Sequence, residues 1–113
     1  MSDARIDAVT DDGLVRIVVR GEVDLHNAGE VDTQMRQAIS NQTTAVSIDL
    51  ADVDYIDSAG LRVLFHLADR LATLQITVEL VAPVGSPSRR VIELSGLAAL
   101  VPLDPPVEGA APA

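Results

Sequence analysis

The chain has 113 residues, 48% of them hydrophobic, 2% aromatic and none cysteine, with 17 acids against eight basic residues, all arginine, for a formal net charge of −9. That length holds one domain; the missing cysteines exclude a disulfide framework or a thiolate metal site, and an acidic chain without a basic stripe or aromatic platform argues against direct nucleic-acid binding and for a protein partner with a basic or mixed-charge face. No apolar run approaches the ~20 residues needed to span a bilayer, and the first residues carry acids and no apolar signal core, so the expectation is a cytoplasmic protein with no membrane attachment.

Residues 5–9 and 14–20 are short, β-branched and alternating, and the Asp12-Gly13 pair between them is a hairpin signal, so the two segments should pair antiparallel. From Ala28 to about Ser40 the apolar positions Ala28, Val31, Met35, Ala38 and Ile39 follow a helical period, with Asn27 placed as an N-cap. Residues 45–50 (AVSIDL) predict a strand. A second helix is predicted from about Ser58 to Leu74, with Leu64, Leu67, Leu71 and Leu74 as its apolar stripe and Arg62, His66, Asp69, Arg70 and Thr73 as its wet face. Residues 76–82 (ITVELVA) predict the third inner strand, Ser86-Pro87 opens a short helix that Gly96 ends, and residues 100–103 offer a last edge strand.

Strands that alternate with helices imply parallel pairing through right-handed crossovers, with the functional edge at the carboxyl ends of the strands. Two stretches draw attention there: the segment Ala51–Gly60 (ADVDYIDSAG), read as a turn, and the loop Gly21–Asn27 (GEVDLHN). The first delivers a serine hydroxyl to the start of a helix, where open amides and the helix dipole favour a negative group. A phosphate on Ser58 would be accommodated, although Asp57 or Ser58 would serve equally as a simple N-cap.

The string DLADVD at 49–54 followed by YIDSAGLRVL at 55–64 resembles the signature of the bacterial STAS-domain anti-sigma factor antagonists. So does RGEVDLHNAGEVD at 20–32, and APVGSPSRRVIELSGLAALV at 82–101 is similar to the family's third-helix segment. The match runs in register from about Arg5 to Leu103. It implies an α/β fold: a single STAS-like domain over residues 1–103, with a mixed four- to five-stranded sheet, three to four helices and an N-terminal antiparallel hairpin. Residues 104–113 (DPPVEGAAPA) are expected to form a flexible tail.

The resemblance also implies a mechanism. The family's phospho-acceptor is the serine after aspartate in Asp-Ser-X-Gly-Leu, here Ser58. Unphosphorylated members bind an anti-sigma factor that is also a serine-protein kinase and so free the sigma factor; phosphorylation expels the antagonist, and a PPM-type serine phosphatase resets it. The position after the acceptor, often Ser or Thr in relatives, is Ala59, which offers no second hydroxyl. The family pattern sets Asp24 beside Asp57 and Ser58, where it would orient the hydroxyl or the kinase's magnesium-nucleotide.

Other residues near the acceptor read two ways. Gly60 gives either backbone clearance for a kinase or room for the helix to pack on the sheet. Leu61 is core or partner contact, Arg62 meets partner acids or is merely solvated, Asn27 caps a helix or joins His26 on a binding rim, and His66 is surface.

An enzyme is the first rival. A serine nucleophile needs a base and an oxyanion site, yet there is no Gly-X-Ser-X-Gly elbow and only His26 and His66 are available. The acids Asp49, Asp52, Asp54 and Asp57 suggest a phospho-aspartate receiver, but the lysine such receivers need is missing. No Gly-rich phosphate loop or nucleotide motif is present. The expectation is a binding module without catalytic residues, metal or cofactor. The second rival keeps the fold and changes its role, to that of a STAS scaffold, or a subunit of a membrane-transport or stressosome complex, without a phospho-switch.

Overall fold

Alternation in LVRIVVRGEV buries Val15, Ile17, Val19 and Val23 while Arg16 and Arg20 stay in water, and in the computed structural model, which describes residues 3–106, this segment is strand β2 (Leu14–Val23). Strand β1 (Ala4–Asp11) pairs with it antiparallel, from Ala4 opposite Gly21 to Asp11 opposite Leu14. Asp12 and Gly13 between them both take positive φ (47° and 86°), the backbone that a two-residue hairpin of matching twist requires.

Helix α1 (Ala28–Gln37) leads to β3 (Ala45–Ile56), α2 (Ser58–Thr73) to β4 (Thr77–Val81), and α3 (Pro87–Ser95), followed by a single 3-10 turn, to β5 (Leu103–Asp104). The sheet order is β1-β2-β3-β4-β5, with every pair after the hairpin parallel. Val46, Ser47 and Ile48 in the middle of β3 are all buried, as a strand covered on both faces requires. Val46 and Ile48 join one apolar cluster with Val31 and Met35 of α1, Leu64, Leu67 and Leu71 of α2, and Ile92 of α3. The expected α/β class, hairpin, mixed sheet and helix number all stand, and among the described residues no helix is long and apolar enough to cross a membrane.

Several local expectations change. Residues 51–56 are not a turn: β3 continues through them to Ile56, and β2 likewise continues past Arg20 to Val23. Two register shifts, between Val18 and Arg20 and between Gly21 and Glu22, absorb extra residues of β3 and keep the pair together. Val53 and Ile56 point inward while Asp52, Asp54 and Tyr55 are exposed, so acids that resemble turn residues are the wet positions of a strand. Leu74 does not complete the α2 stripe. It is the C-cap and 53% exposed, because Gln75 turns the chain with φ 62° and Ile76 takes the inward place. Helix α1 stops at Gln37 rather than near Ser40, though Ala38 and Ile39 still pack against the core.

The end of the chain is tied differently from the expectation. Leu103 and Asp104 pair with Leu80 and Val81, so the sheet reaches one residue into the segment assigned to the tail. Arg89 of α3, only 3% exposed, donates to the carbonyls of Ala82 (3.1 Å), Pro105 and Pro106 (3.2 Å) and pairs with Glu93 (2.6 Å). A buried guanidinium is tolerable only with its donors used, and here it fastens residues 105–106 against α3. Residues 107–113 of the expected tail lie outside the described residues.

Helix α3 itself is built as its sequence suggests. Ser86 Oγ accepts from the Arg89 amide at 3.3 Å, Pro87 opens the helix, and Gly96 ends it at φ 87°. The buried Ser88 donates to the Leu50 carbonyl at 2.8 Å, bonding α3 to β3 just past the last β3–β4 pair at Asp49.

Arg89→Ala should cost at least about 2 kcal/mol, since a buried acceptor left without a donor costs about 1–3 kcal/mol. Glu93→Ala, which leaves the buried Arg89 Nε–H without its carboxylate, should also cost about 1–3 kcal/mol, but less than Arg89→Ala, which strands several partners at once. Urea denaturation of the two variants checks the difference.

Candidate functional site

Ser58 stands where the long strand β3 turns into α2. Asp57 is the only residue between them, and it is extended (φ −103°, ψ −171°), the conformation of a capping residue. Its Oδ1 accepts from the amides of Ala59 (2.9 Å) and Gly60 (3.1 Å), satisfying two of the open donors at the helix start. Its Oδ2 accepts from the Leu25 amide at 3.1 Å, and its own amide donates to the Val23 carbonyl at 3.2 Å. One side chain therefore caps α2 and ties it to the loop after β2. Ser58 is the first helical residue, and it is exposed.

The loop 24–27 is held by its own side chains. Asp24 Oδ1 accepts from the His26 amide (2.9 Å), and the Asp24 carbonyl accepts from the amides of Asn27 (3.2 Å) and Ala28 (2.8 Å). Asn27 sits at the N-cap position of α1, but its side chain makes no capping bond. Instead Oδ1 accepts from the Asp24 amide (3.0 Å) and Nδ2 donates to the Glu22 carbonyl (2.8 Å), so the expected cap is a loop staple. Because the Asp24 side chain already turns the chain locally, Asn27 is drawn backward across the turn.

The Leu25 amide thus brings the loop 24–27 to Asp57, the residue before Ser58. His26 and Arg62 are exposed, Ala59 is half-buried, and Leu61 packs partly against the core. Gly60 is buried, and a Cβ there would lie 2.7 Å from Ile56 Cγ1 and 2.9 Å from Val23 Cγ1. Of its two readings the packing one has a physical cause: α2 can sit this close to β2 and β3 only without a side chain at 60. His66 is exposed, two turns along α2.

Leu25 was not legible as a functional residue. Its amide is the donor that joins the two segments, while its side chain is 77% exposed between Asp24 and His26. The one signal in the sequence is an apolar residue in a polar loop with no alternating partner.

The acids near the site each have separate work. Asp49 Oδ1 accepts from the Ala51 amide at 2.9 Å, Asp52 lies 3.4 Å from Arg20 Nε, Asp54 faces water and Asp57 is the cap. Among the described residues no three metal-ligating side chains gather to hold an ion. An open cleft of about 690 Å³ lies between β1 and α1 along Ile6, Ala8, Gly29 and Thr33, and Ser58 is not part of its lining. Ser58 itself is exposed at the first residue of α2.

Asp57→Ala should cost about 0.5–2 kcal/mol through the lost cap and speed amide exchange at Leu25, Ala59 and Gly60 together. Gly60→Val should lower the melting temperature further than Ala59→Val, because only the first drives a side chain into Ile56 and Val23. Hydrogen-exchange NMR and thermal melts check the two.

The STAS domain family profile matches residues 5–110. The chain is 34% identical over 103 residues to a protein named putative anti-sigma factor antagonist BtrV of Bordetella bronchiseptica, covering 90% of this chain and 87% of that one. A crystal structure of an anti-sigma factor antagonist from Mycobacterium paratuberculosis superposes with TM-score 0.80 at 28% identity, covering 89% of this chain and 85% of that one. SpoIIAA, an anti-sigma factor antagonist and Bacillus cell fate determinant solved in unphosphorylated and phosphorylated forms, shares the fold. Its TM-scores are 0.71 and 0.67 at 20% identity, over 88% of this chain and 87% and 90% of those chains. With sheet, hairpin, helices and site in place, the chain belongs to the STAS domain family, among the anti-sigma factor antagonists.

Proposed function

We propose that this chain, unphosphorylated, binds an anti-sigma factor that is also a serine-protein kinase, thereby frees the sigma factor, and is inactivated when that kinase phosphorylates Ser58. A PPM-type serine phosphatase acting on the phosphorylated form restores it, and the exchange takes place in the cytoplasm without direct contact to nucleic acid or membrane. The observation that carries the reading is the exposed Ser58 hydroxyl at the first residue of α2, immediately after a capping aspartate. The names of BtrV and of the mycobacterial structure support the same role.

The chemistry of the switch follows from the neighbours. Phosphorylation adds about −1.5 to −2 charge at pH 7. It adds it beside Asp57, with Asp24 in the loop that Asp57 holds. The Ala59 and Gly60 amides already donate to Asp57, so a phosphate at 58 does not replace the cap and instead faces outward. Against an acidic group on the partner, a unit like-charge pair at 4 Å costs about 4 kcal/mol near a protein surface, and each 1.4 kcal/mol is about tenfold in affinity. The fold need not change. His26, Asn27, Leu61 and Arg62 are assigned to the docking face around the acceptor; Leu61, half inside the core, contributes mainly by holding the first turn of α2.

Incubation with the purified cognate kinase and ATP should add one phosphate to the wild-type chain and none to Ser58→Ala, read by intact mass. Ser58→Ala should bind the kinase as tightly as wild type and resist release by ATP, while Ser58→Asp should bind at least about tenfold more weakly. A chain that takes no phosphate, or equal binding by the two variants, speaks for a STAS scaffold or a transport or stressosome subunit instead.

A further inference from the structure

We propose that Arg62 is the cation that receives the Ser58 phosphate, so that phosphorylation both adds an anion to the docking face and withdraws a cation from it. The proposal rests on Ser58 being the acceptor and adds a second half to the switch. Ser58 opens α2 and Arg62 follows four residues later, both exposed. Positions i and i+4 of a helix have Cβ atoms about 5–6 Å apart. Helical side chains lean toward the N-terminus, so the long Arg62 side chain extends back over the first turn, where a phosphate on Ser58 would stand. An acid placed N-terminal to its cation is also the favourable order for such a pair.

Two features of this chain make the arginine the natural partner. The amides that a helix start would ordinarily offer to an anion, those of Ala59 and Gly60, already donate to Asp57 Oδ1. With those two amides taken, a side chain is the ready source of further donors for a phosphate at 58, and a guanidinium supplies two in a planar fork that matches phosphate oxygens. Four of the other arginines are engaged or distant. Arg20 pairs with Asp7 and Asp52, Arg36 with Asp32 and Arg89 with Glu93, and none of these ion pairs includes Arg62. Arg70 lies 12 residues beyond Ser58 on the same helix, about 18 Å away.

The charged and titratable groups around the first turn are Asp57 at the cap, Glu22, Asp24 and His26 on the neighbouring strand and loop, Asp54 and Tyr55 at the end of β3, and His66 one turn past Arg62. The acids among them oppose the second ionisation of a phosphoserine, and Arg62 opposes the acids. In the unphosphorylated chain Arg62 is exposed to solvent and is available to a carboxylate on the partner. Once captured by the phosphate it is lost to that contact.

The test installs phosphoserine at position 58 of the full chain by genetic code expansion and follows its second ionisation by 31P NMR at low salt. Arg62→Gln should raise the second pKa by about 0.15–0.4 relative to wild type, in keeping with the energy of an i, i+4 pair. Arg62→Lys should recover part of the difference, and the Arg62 Nε–H resonance of the wild type should move with the phosphate titration. The same phosphate pKa in wild type and Arg62→Gln, with an Nε–H signal indifferent to the titration, would overturn the pairing. Since the phosphate is built in, the result does not depend on any kinase: failure of a kinase to modify Ser58 would count against the functional reading alone.

Discussion

Asp57 commits both of its carboxylate oxygens to backbone amides from two different segments, Ala59 and Gly60 of α2 on one side and Leu25 of the loop on the other. Hydrogen bonds to an ionised acceptor are roughly twice as strong as neutral ones, and this set is what holds the first turn of α2 against the loop after β2. Ser58 inherits its position from it. The same carboxylate occupies the Ala59 and Gly60 amides, so under the proposed function a phosphate on Ser58 would alter the surface and leave the core alone.

The sheet supplies the reach. β3 pairs with β4 only as far as Asp49, then continues to Ile56 beside β2. At about 3.3 Å per residue that carries the β3–α2 junction some 20 Å past the last β3–β4 pair. The flank that β4 leaves is met by α3, bonded to the Leu50 carbonyl through Ser88, and α3 is in turn locked by the buried Arg89. Gly60 completes the arrangement by letting α2 settle directly on Val23 and Ile56. An exposed hydroxyl on elements tied together in this way suits the proposed partner exchange, because docking then needs little ordering.

Much of this is written plainly in the chain. Asp12-Gly13 marks the hairpin, the spacing of Leu64, Leu67 and Leu71 marks α2, and Ser86-Pro87 with Gly96 brackets α3, each because a local rule acts alone. The Asp57-Ser58 junction is visible for the same reason. What escapes are features made by distant partners. The acids of ADVDYI read as a turn because alternation with period two is broken by register shifts that only the pairing with β2 creates. Asn27 has the chemistry of a cap, yet Asp24 and Glu22 compete for its side chain and win. Nothing local marks Arg89 until the carbonyls of Ala82, Pro105 and Pro106 close around it, and Leu25 acquires its role through an amide 32 residues from its acceptor.

Under the proposed function the switch is an electrostatic device on an unchanged fold. Its most direct test measures the affinity of the purified anti-sigma kinase for the chain carrying serine or phosphoserine at 58, with amide exchange of the core strands recorded on both forms. The expected result is an affinity lower by at least about a hundredfold in the phosphorylated chain, as some 3 kcal/mol of repulsion would give, with exchange in β2 and β3 the same. Equal affinity for the two forms would contradict the electrostatic switch, and so would a loss of affinity that comes with loosening of the core.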